Sequence, residues 1–216
     1  MALMALNKAD GLIESIEELK RSHVRSLVKE RILEFTQLKH GTSREIFEEL
    51  CFCILCANFS AERSIRIQKE INDGFLTLSE LQLAKRLKEM GHRFPNTRAG
   101  YIISARRKIN SIKNAIENFA DSKELRDWLA EEILGVGMKE ASHFLRNIGY
   151  TDLAIVDFHI LDLLVRHGIV KKPKTLTRSK YLEIEEKLKE IAKRVNLSMA
   201  ELDLYLWYME TGKVLK

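Results

Sequence analysis

Proline occurs twice in 216 residues and glycine ten times, and stretches that alternate apolar with polar residues are scarce. Both residues weaken helix interiors, so their scarcity, with 45% hydrophobic residues to fill a core, predicts an all-α fold. Long apolar runs are missing too. Nothing approaches the ~18 consecutive apolar residues of a membrane-spanning helix. The opening Met1-Ala2-Leu3-Met4-Ala5-Leu6 is too short for the apolar centre of a secretory leader. The cytoplasm is therefore the expected compartment, with no membrane partner. Cysteine is confined to Cys51, Cys53 and Cys56, inside the apolar stretch from Leu50 to Cys56. A tetrahedral metal site needs a fourth ligand and a polar setting, so the thiols are expected to be small core residues and no metal site is expected. Internal repeats and low-complexity segments are absent.

The positive excess is modest. Lysine and arginine number 36 against 31 aspartates and glutamates, a net charge of +5. That balance fits a polyanionic partner without identifying one. The length suits one large domain or two small lobes.

Apolar periodicity places one or two helices over residues 11–39. Thr42-Ser43-Arg44-Glu45 reads as a capping box that starts the next helix, whose Ile46, Phe47, Leu50, Cys51, Ile54 and Leu55 share one side. That helix is expected at the centre of the core, ending near Ala57-Asn58-Phe59-Ser60. A helix follows from about Ala61 to Ile71. Thr77-Leu78-Ser79-Glu80 reads as a second capping box, Arg98 to Lys108 as a basic helix, and Asp121 as the start of another. Ser198-Met199-Ala200-Glu201 reads as a third capping box, and Gly212 as the stop of the last helix.

The chemistry concentrates in Ile133-Leu134-Gly135-Val136-Gly137-Met138-Lys139-Glu140-Ala141. This reads as a helix end, a Gly-x-Gly hairpin and a new helix. Gly135 and Gly137 allow a sharp turn and leave backbone N–H groups uncovered at a helix N-terminus, where a phosphate oxygen can be held. Lys139 falls on the first turn. Ala141, Phe144, Leu145 and Ile148 form an apolar stripe, which places Lys139, His143 and Arg146 on the opposite, outward face. Cations grouped in this way favour a neutral amine, the form a lysine nucleophile needs. An extended stretch then leads to Asp157, which opens another helix and stands as the carboxylate to assist Lys139.

Gly135-Val136-Gly137-Met138-Lys139-Glu140-Ala141 followed by Val156-Asp157-Phe158-His159 resembles the helix–hairpin–helix DNA glycosylase superfamily. The run from Lys139 to Tyr150, and the ending Leu202-Asp203-Leu204-Tyr205-Leu206-Trp207-Tyr208 with its terminal lysine, are similar to the archaeal and thermophile branch of 8-oxoguanine DNA glycosylase/lyases. The resemblance covers residues 15–216. It implies a two-lobed helical fold with the active site in the cleft between lobes. One lobe would come mainly from residues 40–120, the other from the N-terminal helix plus 121–216, hairpin included. It implies a monomer acting on double-stranded DNA that contains oxidised guanine. Lys139 would attack C1′ of a flipped nucleotide, form a Schiff base and cut the strand by β-elimination, with Asp157 stabilising positive charge on the sugar. Gly135 and Gly137 would hold the DNA backbone and His159 a phosphate, while Asn58 would fill the gap left in the duplex. Phe94 and Trp207 would stack on the base, and Lys216 would help separate 8-oxoguanine from guanine. No cofactor is implied beyond a monovalent cation at the hairpin carbonyls. Two departures stand out. No cysteine lies beyond Cys56, which excludes the four-cysteine iron–sulfur cluster of other branches. Phe158 stands where relatives often carry a basic residue, which implies one phosphate contact fewer.

Each of these residues also has a plainer reading. Lys139 taken alone is a solvated helix lysine, and Asp157 an N-cap. Phe94 and Trp207 are core aromatics, Asn58 a turn residue and Lys216 a frayed end. His143 and His159 lack a third partner for a metal. A helix–hairpin–helix module that binds DNA without cutting it, or a glycosylase for another oxidised base, remain as alternatives.

Overall fold

The computed structural model describes residues 9–216. Among these the chain forms helices and no strand, as the scarcity of breakers predicts. Two compact units result. One comprises the chain up to Thr36 together with Gly149–Lys216, the other Gln37–Ile148.

The first unit holds α1 (Asp10–Lys20), most of α2 (Val24–Leu38), α11 (Phe158–Arg166), α12 (Arg178–Arg194) and α13 (Met199–Thr211). Val24, Val28 and Phe35 of α2 pack on Leu204 and Tyr205 of α13, with Val214 of the C-terminal stretch against them. Each such buried side chain contributes roughly 1.5–3 kcal/mol of transfer free energy. Ser198 and Glu201 form the expected capping box at the start of α13, and Gly212 ends it in the left-handed region at φ 69°. The stretch before Asp157 is extended yet belongs to no sheet, so its buried amides need side-chain partners. Helix α12 supplies them. Glu185 accepts the Ala154 N–H at 2.9 Å, and the Tyr181 hydroxyl accepts the Val156 N–H at 3.3 Å while donating to the Ala154 carbonyl at 2.7 Å.

The second unit holds α3 (Ser43–Cys56), α4 (Ala61–Ile71), the short α5 (Gly74–Thr77), α6 (Glu80–Glu89), α7 (Pro95–Arg106), α8 (Ile109–Asn118), α9 (Ser122–Glu132) and α10 (Met138–Asn147). Helix α3 is its centre, with α4, α7, α8 and α10 packed on it. Every residue of α3 from Glu49 to Cys56 is buried, the three unbridged cysteines included. Burial also pushes the Cys51 thiol up, so the reading as inert core residues holds. The Thr42 capping box forms as expected.

Two local expectations differ. The cap of α6 is Ser79, paired with Gln82, because Thr77 ends α5 and its hydroxyl donates back to the Asp73 carbonyl. The basic helix ends at Arg106, and a separate α8, absent from the sequence reading, follows at once. By packing, the hairpin and α10 fall with Gln37–Ile148, since α10 lies on α3 and α9. The expected lobes divided the chain near residue 120 instead. No helix of the described residues is long and apolar enough to cross a membrane.

Candidate active site

The hairpin is seated by its apolar residues. Ile133 and Val136 are buried, and the Val136 N–H donates to the Ile133 carbonyl at 3.0 Å, closing the turn. Gly135 sits at φ +81°, and a Cβ there would lie 2.0 Å from the Tyr101 ring of α7. Only glycine meets both demands. Gly137 is different. Its backbone is extended, with φ −104° and ψ −171°, and a Cβ would meet only Glu140 at 3.5 Å. The second glycine is therefore required neither by turn geometry nor by packing within the unit.

Gly137 is the N-cap of α10 and has no side chain to cap with. Glu140 supplies half of a capping box, its carboxylate accepting the Gly137 N–H at 3.4 Å. That amide is thus covered, where the sequence reading left it bare. Lys139 follows on the first turn, with its side chain 23% exposed and its Nζ 3.7 Å from the other Glu140 oxygen. Glu140 was not among the expected site residues. The Gly-x-x-Glu spacing of 137 to 140 is a capping-box pattern with glycine in the cap position, and it is the signal that was available.

The outward cationic face is not built. His143 and Arg146 are buried, as is every residue of α10 from Ala141 to Asn147. The reason lies in tertiary packing. The helix is enclosed on several sides, and its Arg146 and Asn147 are hydrogen-bonded inside the unit. Arg146 Nε and Nη2 donate to Asn147 Oδ1 at 3.0 and 2.8 Å, and Asn147 Nδ2 donates to Glu49 of α3 at 2.6 Å. The His143 ring lies edge-on to Phe52, with centroids 5.6 Å apart. Crowding by cations therefore does not set the surroundings of Lys139.

Asp157 is the N-cap of α11, its Oδ1 accepting the Ile160 N–H at 2.9 Å. Beyond it the Phe158 ring stands 66% exposed. His159 lies between two aromatics, 3.9 Å from the Phe158 ring and 4.9 Å edge-on from Trp207 of α13. The indole N–H of Trp207 is buried without a hydrogen-bond partner, the kind of orphan that native structures rarely keep without a use. Lys216 is half-buried, as are Val214 and Leu215 before it.

In the second unit Asn58 takes a left-handed φ of 58°, which asparagine tolerates, in the break after α3. Phe94 precedes α7 and is 36% exposed. The Arg93 and Arg98 guanidiniums lie 5.0 and 5.8 Å from its ring centre. Burial lowers the pKa of Arg98, with Tyr101 and Glu140 opposing. Among the described residues no three His, Cys, Asp or Glu side chains group to hold a metal ion.

Comparison with known proteins adds the following. The model of the family described as 8-oxoguanine DNA glycosylase matches residues 28–197. An 8-oxoguanine DNA glycosylase/AP lyase of Methanocaldococcus jannaschii is 54% identical over 206 residues, 95% of this chain and 99% of that one. One from Korarchaeum cryptofilum is 50% identical over 96% of this chain and 99% of that protein. Among solved structures, the M. jannaschii glycosylase/lyase in complex with a 15mer DNA containing 8-oxoguanine matches with a TM-score of 0.93, covering 95% of this chain and 99% of that one at 54% identity. The 8-oxoguanine DNA glycosylase of Thermotoga maritima matches with a TM-score of 0.91 at 42% identity, covering 96% and 99%.

Proposed function

The chain belongs to the 8-oxoguanine DNA glycosylase family, and on that premise we propose that it is a bifunctional repair enzyme that excises 8-oxoguanine from duplex DNA and then cuts the strand. The observation that carries this reading is near-full-length identity to 8-oxoguanine DNA glycosylase/AP lyases, one of them solved on DNA containing that lesion.

The target base is stacked in the duplex and must be rotated out. Gly135 and Gly137 add no side chain of their own to the hairpin, so a phosphate can approach its backbone closely, displacing the long Glu140 contact from the Gly137 amide. His159 contacts a second phosphate, and Asn58 enters the space the base vacates. Phe94 and Trp207 stack on the flipped base, and Lys216 helps to tell it from guanine. The half-exposed Phe94 ring and the unpartnered Trp207 N–H support that assignment.

Lys139, as the neutral amine, attacks C1′. The glycosidic bond breaks, and the base leaves with its electron pair and takes up a proton. Asp157, anionic, offsets the positive charge that develops on the sugar and orients the amine. The amine loses a proton and the sugar ring opens, giving a protonated Schiff base. A proton then leaves C2′ and the 3′ phosphate departs by β-elimination. Hydrolysis of the Schiff base restores Lys139. The Gly137 cap made by Glu140 supports Lys139 in this role by fixing the helix turn that bears it.

These steps use no cofactor. A monovalent cation at the hairpin would be held by backbone carbonyls, neutral oxygens that suit a hard ion, with the Ile133 carbonyl keeping one lone pair beyond its bond to Val136. The protein acts as a monomer in the cytoplasm.

Borohydride trapping on duplex containing 8-oxoguanine tests the reading, because reduction freezes a Schiff base into a stable adduct. Wild type is expected to give an adduct, and Lys139→Gln none while still binding DNA. No adduct with wild type, an undiminished adduct with the variant, or faster trapping on oxidised-pyrimidine duplex would overturn it.

A further inference from the structure

Two short breaks between helices of the Gln37–Ile148 unit carry two of the candidate DNA-facing residues. The break 57–60 carries Asn58, and the break 90–94 carries Phe94. One buried side chain ties them together. His92 is 4% exposed, and its Nε2 lies 3.1 Å from the Leu55 carbonyl near the end of α3. Its Nδ1 accepts the Phe94 N–H at 3.1 Å. The two partners assign the tautomer, with the hydrogen on Nε2 and the lone pair on Nδ1. The ring also lies on Phe59, centroids 4.2 Å apart.

Arginines brace the same joint. Arg98 of α7 donates to the Ala57 carbonyl at 2.5 Å. Arg63 of α4 donates to the Gly91 carbonyl at 2.7 Å and covers the Phe59 ring at 4.8 Å. Burial holds His92 below the ordinary histidine range, and Arg98 and Arg63 add to that while the Leu55 bond opposes it. Burial and the two arginines favour the neutral ring that the Phe94 bond requires, and the Leu55 bond is compatible with it because the neutral ring keeps its hydrogen on Nε2.

Phe94 needs such a holder. It is the N-cap of α7, makes no side-chain cap bond, and stands at φ −130° and ψ 60° before Pro95. The helix that follows fixes its carbonyl, which accepts the Arg98 N–H at 3.0 Å, whereas its own N–H is fixed by His92. We propose that His92 is a positioning residue for lesion recognition, setting the Phe94 ring relative to the break that carries Asn58. This rests on the reading of Phe94 as a base-stacking residue. A stacking ring recognises a base only if its plane is held before the base arrives.

Single-turnover excision of 8-oxoguanine is to be compared with borohydride trapping on duplex carrying a ready-made abasic site. The second reaction uses Lys139 but needs no base recognition. His92→Phe keeps the ring stacked on Phe59 and removes both hydrogen bonds. It is expected to slow excision about 10-fold while abasic-site trapping stays within about 2-fold. His92→Asn, which retains an acceptor near the Nδ1 position, should recover most of the lost rate. In a Phe94→Ala background, His92→Phe should cause no further loss in the ratio of the two rates. Parallel loss of both reactions, or multiplying losses in the double variant, would overturn the positioning role while leaving Phe94 as a stacking residue. An unchanged ratio in Phe94→Ala itself would remove the stacking reading and the proposal with it.

Discussion

Helix α10 begins at Gly137, which has no side chain to offer, and takes its cap from Glu140 one turn on. Helix α11 begins at Asp157, which caps itself through Ile160. Both starts carry residues proposed for the chemistry, but the division of labour differs. At α10 the proposed nucleophile Lys139 and the cap Glu140 are separate residues, and the helix beyond them is enclosed from Ala141 to Asn147. At α11 the carboxylate proposed to stabilise the sugar is also the cap, and the next residue, Phe158, faces outward. A residue with one task can be removed cleanly, whereas a residue with two confounds any experiment that deletes it.

The largest effect is expected at the clean end of this contrast. Lys139→Gln should abolish Schiff-base trapping and leave the melting temperature unchanged, read by calorimetry and trapping on the same preparation. A melting temperature that falls sharply would mean that Lys139 also holds the helix start, and the contrast would be lost. Gly135→Ala comes next and acts through stability, since it forces a Cβ into the Tyr101 ring at a φ of +81°. It should lower stability by about 3 kcal/mol or more, whereas Gly137→Ala, with an ordinary 3.5 Å contact in an extended backbone, should change it by less than about 1 kcal/mol. Chemical denaturation of the pair checks this, and equal losses would show that the two glycines are equivalent after all.

At α11 the two tasks can be pulled apart. Asp157→Ala should lose activity and roughly 1 kcal/mol of stability, while Asp157→Asn should lose comparable activity but keep the cap and the stability. Trapping rates and denaturation midpoints measured together decide it. Full stability in Asp157→Ala would show that the Ile160 bond contributes nothing. The smallest effect is at Phe158. Phe158→Lys places a cation on the exposed helix start and should steepen the dependence of log affinity on log salt by about one unit. An unchanged salt slope would place that residue away from the phosphates.

Local chemistry explains which elements were legible in the sequence. The caps at Thr42, Asp121, Asp157 and Ser198 were readable because each side chain bonds an amide two or three residues away. The cap of α6 was misplaced because Thr77 and Ser79 both fit the pattern, and the choice fell to the short helix α5 that claims Thr77. Helix α8 was missed because nothing in its first turn serves as a cap. Spacing and resemblance singled out Lys139 and Asp157 as candidates, and the structure places each at a helix start, Lys139 on the first turn and Asp157 at the cap. Glu140 as a cap was legible in its Gly-x-x-Glu spacing from Gly137, whereas Tyr101 beneath Gly135 and His92 between two breaks were not, since both depend on contacts distant in sequence.

The sequence by itself determined the helical class, most of the helix starts, the hairpin and the family, because these depend on composition, on bonds within one turn and on a run of residues that few families share. Only the tertiary structure decided that α10 is enclosed rather than amphipathic. Periodicity shows where apolar residues lie around a helix, but it cannot show that a polar face will also be covered. Arg146 went inside because Asn147, itself bonded to Glu49, was there to receive it, and His143 packs edge-on against Phe52; a buried polar group is tolerated where the fold provides its partner.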